Sequence, residues 1–86
     1  YRTGQVFDIA RIVAAARKRQ VAVILDLAHA IGNIELKLDE WEVDAAAWCS
    51  YKYLCGGPGA IAGMYLNPRH HGLQPKWCGW WGTVGR

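Results

Sequence analysis

Ala45-Ala46-Ala47-Trp48-Cys49-Ser50-Tyr51-Lys52 decides the fold: five apolar residues in a row give way at once to a polar step ending in an amine. A short apolar run without alternation predicts a strand covered on both faces. Upstream, Val21-Ala22-Val23-Ile24-Leu25 has the same character, is rich in β-branched residues and is broken by Asp26 in the same way. Residues 26–44 join the two runs and contain Gly32, Asn33 and a short helix expected to begin at Asp39. That length suits a crossover between parallel strands and is far too long for a hairpin. Ile34 to Leu38 alternates, but reads best as an extended approach to the Asp39 helix.

Further out, a third run, Ile61 to Leu66, follows a loop containing Gly56-Gly57-Pro58-Gly59. The loop is too short for a crossover helix, so this strand is expected to lie antiparallel to a neighbour or to close an edge. Ahead of the first strand, Ile9, Ile12, Val13 and Ala16 fall on one helix face, with Asp8 as the cap and Arg17-Lys18-Arg19 closing the end. The fold class expected is α/β: part of a mixed, mostly parallel sheet with flanking helices, residues 1–86 forming a single segment.

Composition narrows the function. Hydrophobic residues make up 52% of the 86 residues, enough for a core and too many for a disordered tail. At this size one domain is the limit, with marginal stability of its own, and the absence of an initiator methionine suggests a fragment. No apolar run reaches membrane-spanning length and no signal segment opens the chain, so a soluble cytoplasmic setting without membrane contact is expected. The net charge of +3 is dispersed apart from the triplet at residues 17–19, which does not make a nucleic-acid-binding face. Three cysteines without a secretory signal read as reduced thiols.

Parallel strands in an open α/β sheet place ligands beyond their carboxyl ends. Those ends carry Asp26 on one strand and Ser50-Tyr51-Lys52 on the other. A carboxylate at the mouth of a covered strand calls for a cation or strong donor. Pyridoxal phosphate requires this pair of groups: an amine to hold its aldehyde as a Schiff base, and a carboxylate to keep its pyridine nitrogen protonated. The plainer readings are that Asp26 caps the segment Leu27 to Ile31, that Lys52 is a solvated loop lysine, and that the glycines at 56, 57 and 59 form a tight turn instead of admitting a ligand.

Asp26-Leu27-Ala28-His29-Ala30-Ile31-Gly32-Asn33, Trp48-Cys49-Ser50-Tyr51-Lys52-Tyr53-Leu54 and Gly56-Gly57-Pro58-Gly59 with Ala62-Gly63 together resemble the kynureninase family, from Thr3-Gly4-Gln5 to Gly79-Trp80-Trp81-Gly82. Cysteine desulfurases and other class V aminotransferase-like enzymes share the Asp and Lys positions, but usually carry His where this chain has Tyr51 and lack the Trp48-Cys49-Ser50 lead-in. The resemblance implies a segment of the large domain of a homodimeric fold-type-I enzyme. Its activity would be the pyridoxal 5′-phosphate-dependent hydrolysis of L-kynurenine or 3-hydroxykynurenine to alanine and anthranilate or 3-hydroxyanthranilate, in tryptophan catabolism and NAD biosynthesis. It further implies that Lys52 is the Schiff-base lysine and base for the α-proton, and that Asp26 is the pyridinium partner. His29 would be a cofactor-site histidine, Tyr51 a phosphate contact and proton donor or acceptor, and Trp80, with Trp81 as substitute, a phosphate contact across the dimer. Cys55 stands where many relatives have asparagine. The phosphate cup, the ring-stacking aromatic and the carboxylate-binding arginine belong to parts of the family outside these residues, so the segment alone is expected to be inactive.

Two other readings compete. Cys49, Cys55, Cys78, His29, His70 and His71 are nominal ligands without the paired spacing of a structural zinc site, so no metal is expected. Cys49 reads as a small core residue, and His70-His71 as a solvated segment. Trp77, Trp80 and Trp81 would suit a non-catalytic assembly module with an aromatic interface.

Overall fold

The computed structural model describes residues 1–74, 76 and 77. Helix α1 spans Ile9–Arg17 and starts as expected: Asp8 is the N-cap, and its carboxylate accepts the Arg11 N–H at 3.0 Å. Lys18 closes the helix through its N–H to the Ala14 carbonyl, and Gln20, at φ 57°, turns the chain back toward the sheet.

Three strands follow, β1 (Ile24–Asp26), β2 (Ala45–Trp48) and β3 (Gly63–Leu66), in the order β1-β2-β3. β1 runs parallel to β2 and β3 antiparallel to it, as the lengths of the two connections require. Leu25, Ala46 and Tyr65 lie abreast in the register, and Leu25 and Tyr65 pack toward the core of Ile9, Val13 and Val43. Leu36, Leu38 and Trp41 complete that side.

Among the described residues the sheet is covered on this side only, which corrects the expectation of strands covered on both faces. On the other face Ile24 is 75% exposed and Met64 70%, beside exposed Ala47. The apolar run at 21–25 marks residues that need cover, and among the described residues α1 and the 36–43 segment supply it to one face only. β1 also begins at Ile24 instead of Val21, and β3 at Gly63, leaving Ile61 exposed.

Ile34 to Leu38 forms no strand, in line with its reading as an extended approach, but the helix expected at Asp39 is a turn over residues 38–42. Its closing bonds are Trp41 N–H to the Lys37 carbonyl and Val43 N–H to the Leu38 carbonyl, with Glu42 at φ 59° ending it. The Asp39 carboxylate does not cap a helix because it accepts the Tyr65 hydroxyl at 2.5 Å. That contact, with burial, raises the Tyr65 phenol above its ordinary value.

The strand ends opposite Asp26 and Lys52 are locked by a polar cluster around Asp44. Its Oδ1 accepts Arg69 Nη2 at 2.6 Å and His70 Nε2 at 2.7 Å, and its Oδ2 accepts the Val23 N–H at 2.7 Å. Asn67, buried, donates to the Val43 carbonyl and caps the 3₁₀ turn Pro68–His70. His70 is therefore part of this lock and not a freely solvated residue. The His70 hydrogen bond first, then the Val23 amide and Arg69, hold the Asp44 carboxyl well below its ordinary 3.8 despite partial desolvation.

A folded-state value below the unfolded one favours the ionised form in the fold. The stabilisation is complete above 3.8 and is lost as pH falls below it. Asp44→Asn should cost about 2 kcal/mol at neutral pH, the scale of hydrogen bonds to a charged group. Melting temperatures of the two proteins should converge on acidification; a gap that stays constant down to about pH 2 would rule out ionisation as its source.

Candidate active site

Asp26 ends β1, and the parallel ladder extends one step beyond it through the Leu27 N–H to the Ala47 carbonyl at 2.9 Å. Its Oδ1 accepts the Ala28 N–H at 2.9 Å, so the plainer reading of Asp26 as a cap is realised as a side-chain turn. Residues 28–33 then coil tightly: the Leu27 carbonyl accepts Ala30 and Ile31, the Ala30 carbonyl accepts Asn33 and Ile34, and Asn33 Nδ2 donates to the His29 carbonyl at 3.0 Å. Asp26 thus sits on a strand end with a firm local support.

Lys52 is carried by the loop between β2 and β3. Ser50 staples the loop's base: its hydroxyl donates to the Ile61 carbonyl at 2.5 Å, and its own carbonyl accepts the Gly56 N–H at 2.8 Å. Inside this closure the Cys55 N–H donates to the Lys52 carbonyl at 3.0 Å. The Lys52 ammonium lies 5.6 Å from the centre of the Tyr51 ring, within cation–π reach. Gly57 and Gly59 have left-handed backbones with open space around them, which fits the turn reading of that glycine run.

Asp26, Tyr51 and Lys52 line one open hollow of about 690 Å³, together with Trp48, Cys49 and Gly63. Cys49 lies just beyond β2, half-buried on the wall of this hollow and not in the core. Among the described residues Asp26 and Lys52 are not in salt-bridge contact, so the space they share is not closed by a direct ion pair. A second hollow, of about 620 Å³, also touches Asp26 and Lys52 and is lined by His29, Phe7, Asn33 and Tyr53. His29 belongs to this second hollow and stacks on Tyr1, with ring centres 5.4 Å apart. Trp80, with its substitute Trp81, lies outside the described residues, and Trp77 is exposed.

Sequence reading missed Ser50 and Gly32. The signal for Ser50 was its place as the first polar residue after an apolar strand, where a short hydroxyl can bond the returning chain. Gly32 had a weaker signal, a glycine inside the coil that carries His29.

The aminotransferase class-V family model matches residues 2–78. The chain belongs to the class-V aminotransferase family. It is 58% identical over 85 residues to kynureninase of Eremothecium gossypii, covering 96% of this chain and 19% of that protein. Against kynureninase of Flavobacterium johnsoniae the identity is 55% over 84 residues, 95% of this chain and 20% of the relative. The chain thus spans about a fifth of the length of the curated relatives it matches. Among solved structures, the ureidoglycine-glyoxylate aminotransferase of Bacillus subtilis superposes with a TM-score of 0.68 at 34% identity, over 78% of this chain and 17% of that one. A SepCysS–SepCysE N-terminal domain complex shares the fold at 16% identity, with a TM-score of 0.64. The mixed sheet is thus the class-V arrangement expected from the sequence. No described helix is long and apolar enough to cross a membrane.

Proposed function

We propose that this chain is the lysine-bearing segment of the large domain of a kynureninase, which hydrolyses L-kynurenine or 3-hydroxykynurenine to alanine and anthranilate or 3-hydroxyanthranilate. The observation that carries the cofactor assignment is the hollow shared by Asp26 and Lys52, of a size that accommodates a cofactor ring. The choice of substrate rests on the 49–58% identity to kynureninases.

The residues present fit pyridoxal 5′-phosphate. One amine, of Lys52, and one carboxylate, of Asp26, line the same hollow, whose wall is otherwise largely apolar, with Ala47, Trp48 and Gly63 among its residues. When bound, this group supplies an electron sink for the substrate's α-carbon. Lys52 would hold its aldehyde and would move the substrate's α-proton. Asp26 would keep the proton on the pyridine nitrogen. Tyr51 would contact the phosphate and exchange a proton during carbon–carbon cleavage, His29 would serve as a cofactor-site histidine from the neighbouring hollow that also touches Asp26 and Lys52, and Trp80 would be a phosphate contact in a homodimer. The whole enzyme would work in the cytoplasm, in tryptophan catabolism leading to NAD.

The intact protein, supplied with pyridoxal 5′-phosphate and L-kynurenine or its 3-hydroxy form, should release alanine together with anthranilate or 3-hydroxyanthranilate. Transamination products, or sulfur release from L-cysteine, in their place would reject the assignment.

Tyr51→Phe should still take up the cofactor through Lys52, with some loss of affinity from the missing phosphate contact, and lower kcat by about a hundredfold, the lower range for a positioned proton donor. An unchanged kcat would remove the hydroxyl from the mechanism.

A further inference from the structure

We propose that Gly32 is a positioning residue: a side-chain-free joint that fixes the distance between the Asp26 turn and the Lys52 loop. This deepens the cofactor reading above and rests on it.

Gly32 has a left-handed backbone, φ 73°, and a Cβ built on it would stand 2.8 Å from the Tyr53 carbonyl oxygen and 3.0 Å from its carbon. The Leu54 Cδ2 is next, at 3.1 Å. The first two neighbours are backbone, and they belong to the residue that follows Lys52. A flexible side chain could swing away from such a wedge; a peptide group moves only with its loop. On the other side of the joint, the chain from Asp26 to Gly32 is tied turn upon turn by the Ala28, Ala30, Ile31 and Asn33 bonds. The Lys52 loop is closed at its base by Ser50. Two braced segments therefore meet at one contact, and any atom added there is transmitted to the separation of the carboxylate and the amine. A flat, rigid ring held at both ends tolerates little change in that separation, since a misplacement of about 1 Å can cost roughly a hundredfold in rate.

Gly59 supplies the control. Its backbone is equally left-handed, φ 78°, but nothing lies within 4 Å of a Cβ built there. Gly59→Ala carries the conformational strain without the wedge, and Gly32→Ala carries both. Gly32→Asn adds the wedge in a residue that tolerates left-handed backbone.

In the intact protein, pyridoxal 5′-phosphate is titrated against the visible band it gives on binding, and the pH dependence of that band is followed in each variant. Gly32→Ala and Gly32→Asn should bind at least about tenfold more weakly and shift the pH midpoint of the band, with Gly59→Ala within about twofold of the unsubstituted protein. Binding within twofold and an unmoved midpoint in either folded Gly32 variant would overturn the proposal. So would failure of both Gly32 variants to fold while Gly59→Ala folds, because Gly32 would then serve folding and not spacing. Lys52→Ala, run in parallel, keeps the tests separate: if it retains the band, the cofactor reading itself has failed, whatever Gly32 does.

Discussion

Lys52→Ala in the intact enzyme is expected to abolish the visible absorbance of bound cofactor and to lower kcat on the order of 10⁴-fold, the upper range for a positioned acid–base group. Two functions leave with one amine: the covalent hold on the aldehyde and the transfer of the α-proton. The loop should survive the change, because its closure uses backbone and the Ser50 hydroxyl, not the lysine side chain. Loss of the band with an unaltered melting curve would therefore report chemistry and not misfolding. A second measurement fixes the position. Borohydride reduction of the unsubstituted protein should leave the cofactor attached to the peptide containing Lys52, and a label found on Lys18, Lys37 or Lys76 would sink the assignment.

Asp26→Asn should be nearly as damaging while leaving the fold intact. The amide oxygen can still accept the Ala28 N–H that closes the turn, so the structural part of Asp26 is preserved. What disappears is the negative charge facing the hollow. Without it the pyridine nitrogen loses the partner that keeps its proton, and turnover should fall about a hundred- to a thousandfold, the usual scale for removing one preorganised electrostatic contact. Asp26→Ala should add a loss of stability, because the Ala28 amide then has no side-chain partner. Near-normal turnover in Asp26→Asn would reduce Asp26 to its turn-closing role.

Much of this arrangement was legible in the sequence because it rests on local signals. The Asp8 cap, the period of Ile9 and Val13, and the lengths of the two connections fixed the helix, the parallel pair and the antiparallel third strand. Both chemically loaded residues stood out as polar interruptions at the ends of apolar runs. The misses came from contacts distant in sequence. Asp39 looked like a helix cap, but its carboxylate is taken by Tyr65 from another strand. His70 looked solvated, but Asp44 draws it in from 26 residues away. The naked face of the sheet could not be read from Ile24 or Met64, because an apolar residue signals a need for cover and not its supply.

That naked face also governs how the segment should behave by itself. Ile24 on one outer strand and Met64 and Leu66 on the other leave apolar side chains exposed on this face, with Ala45 and Ala47 between them. Released by proteolysis or expressed as a peptide, the segment would expose this apolar face to its own copies, and its solubility would be limited by concentration-dependent clumping.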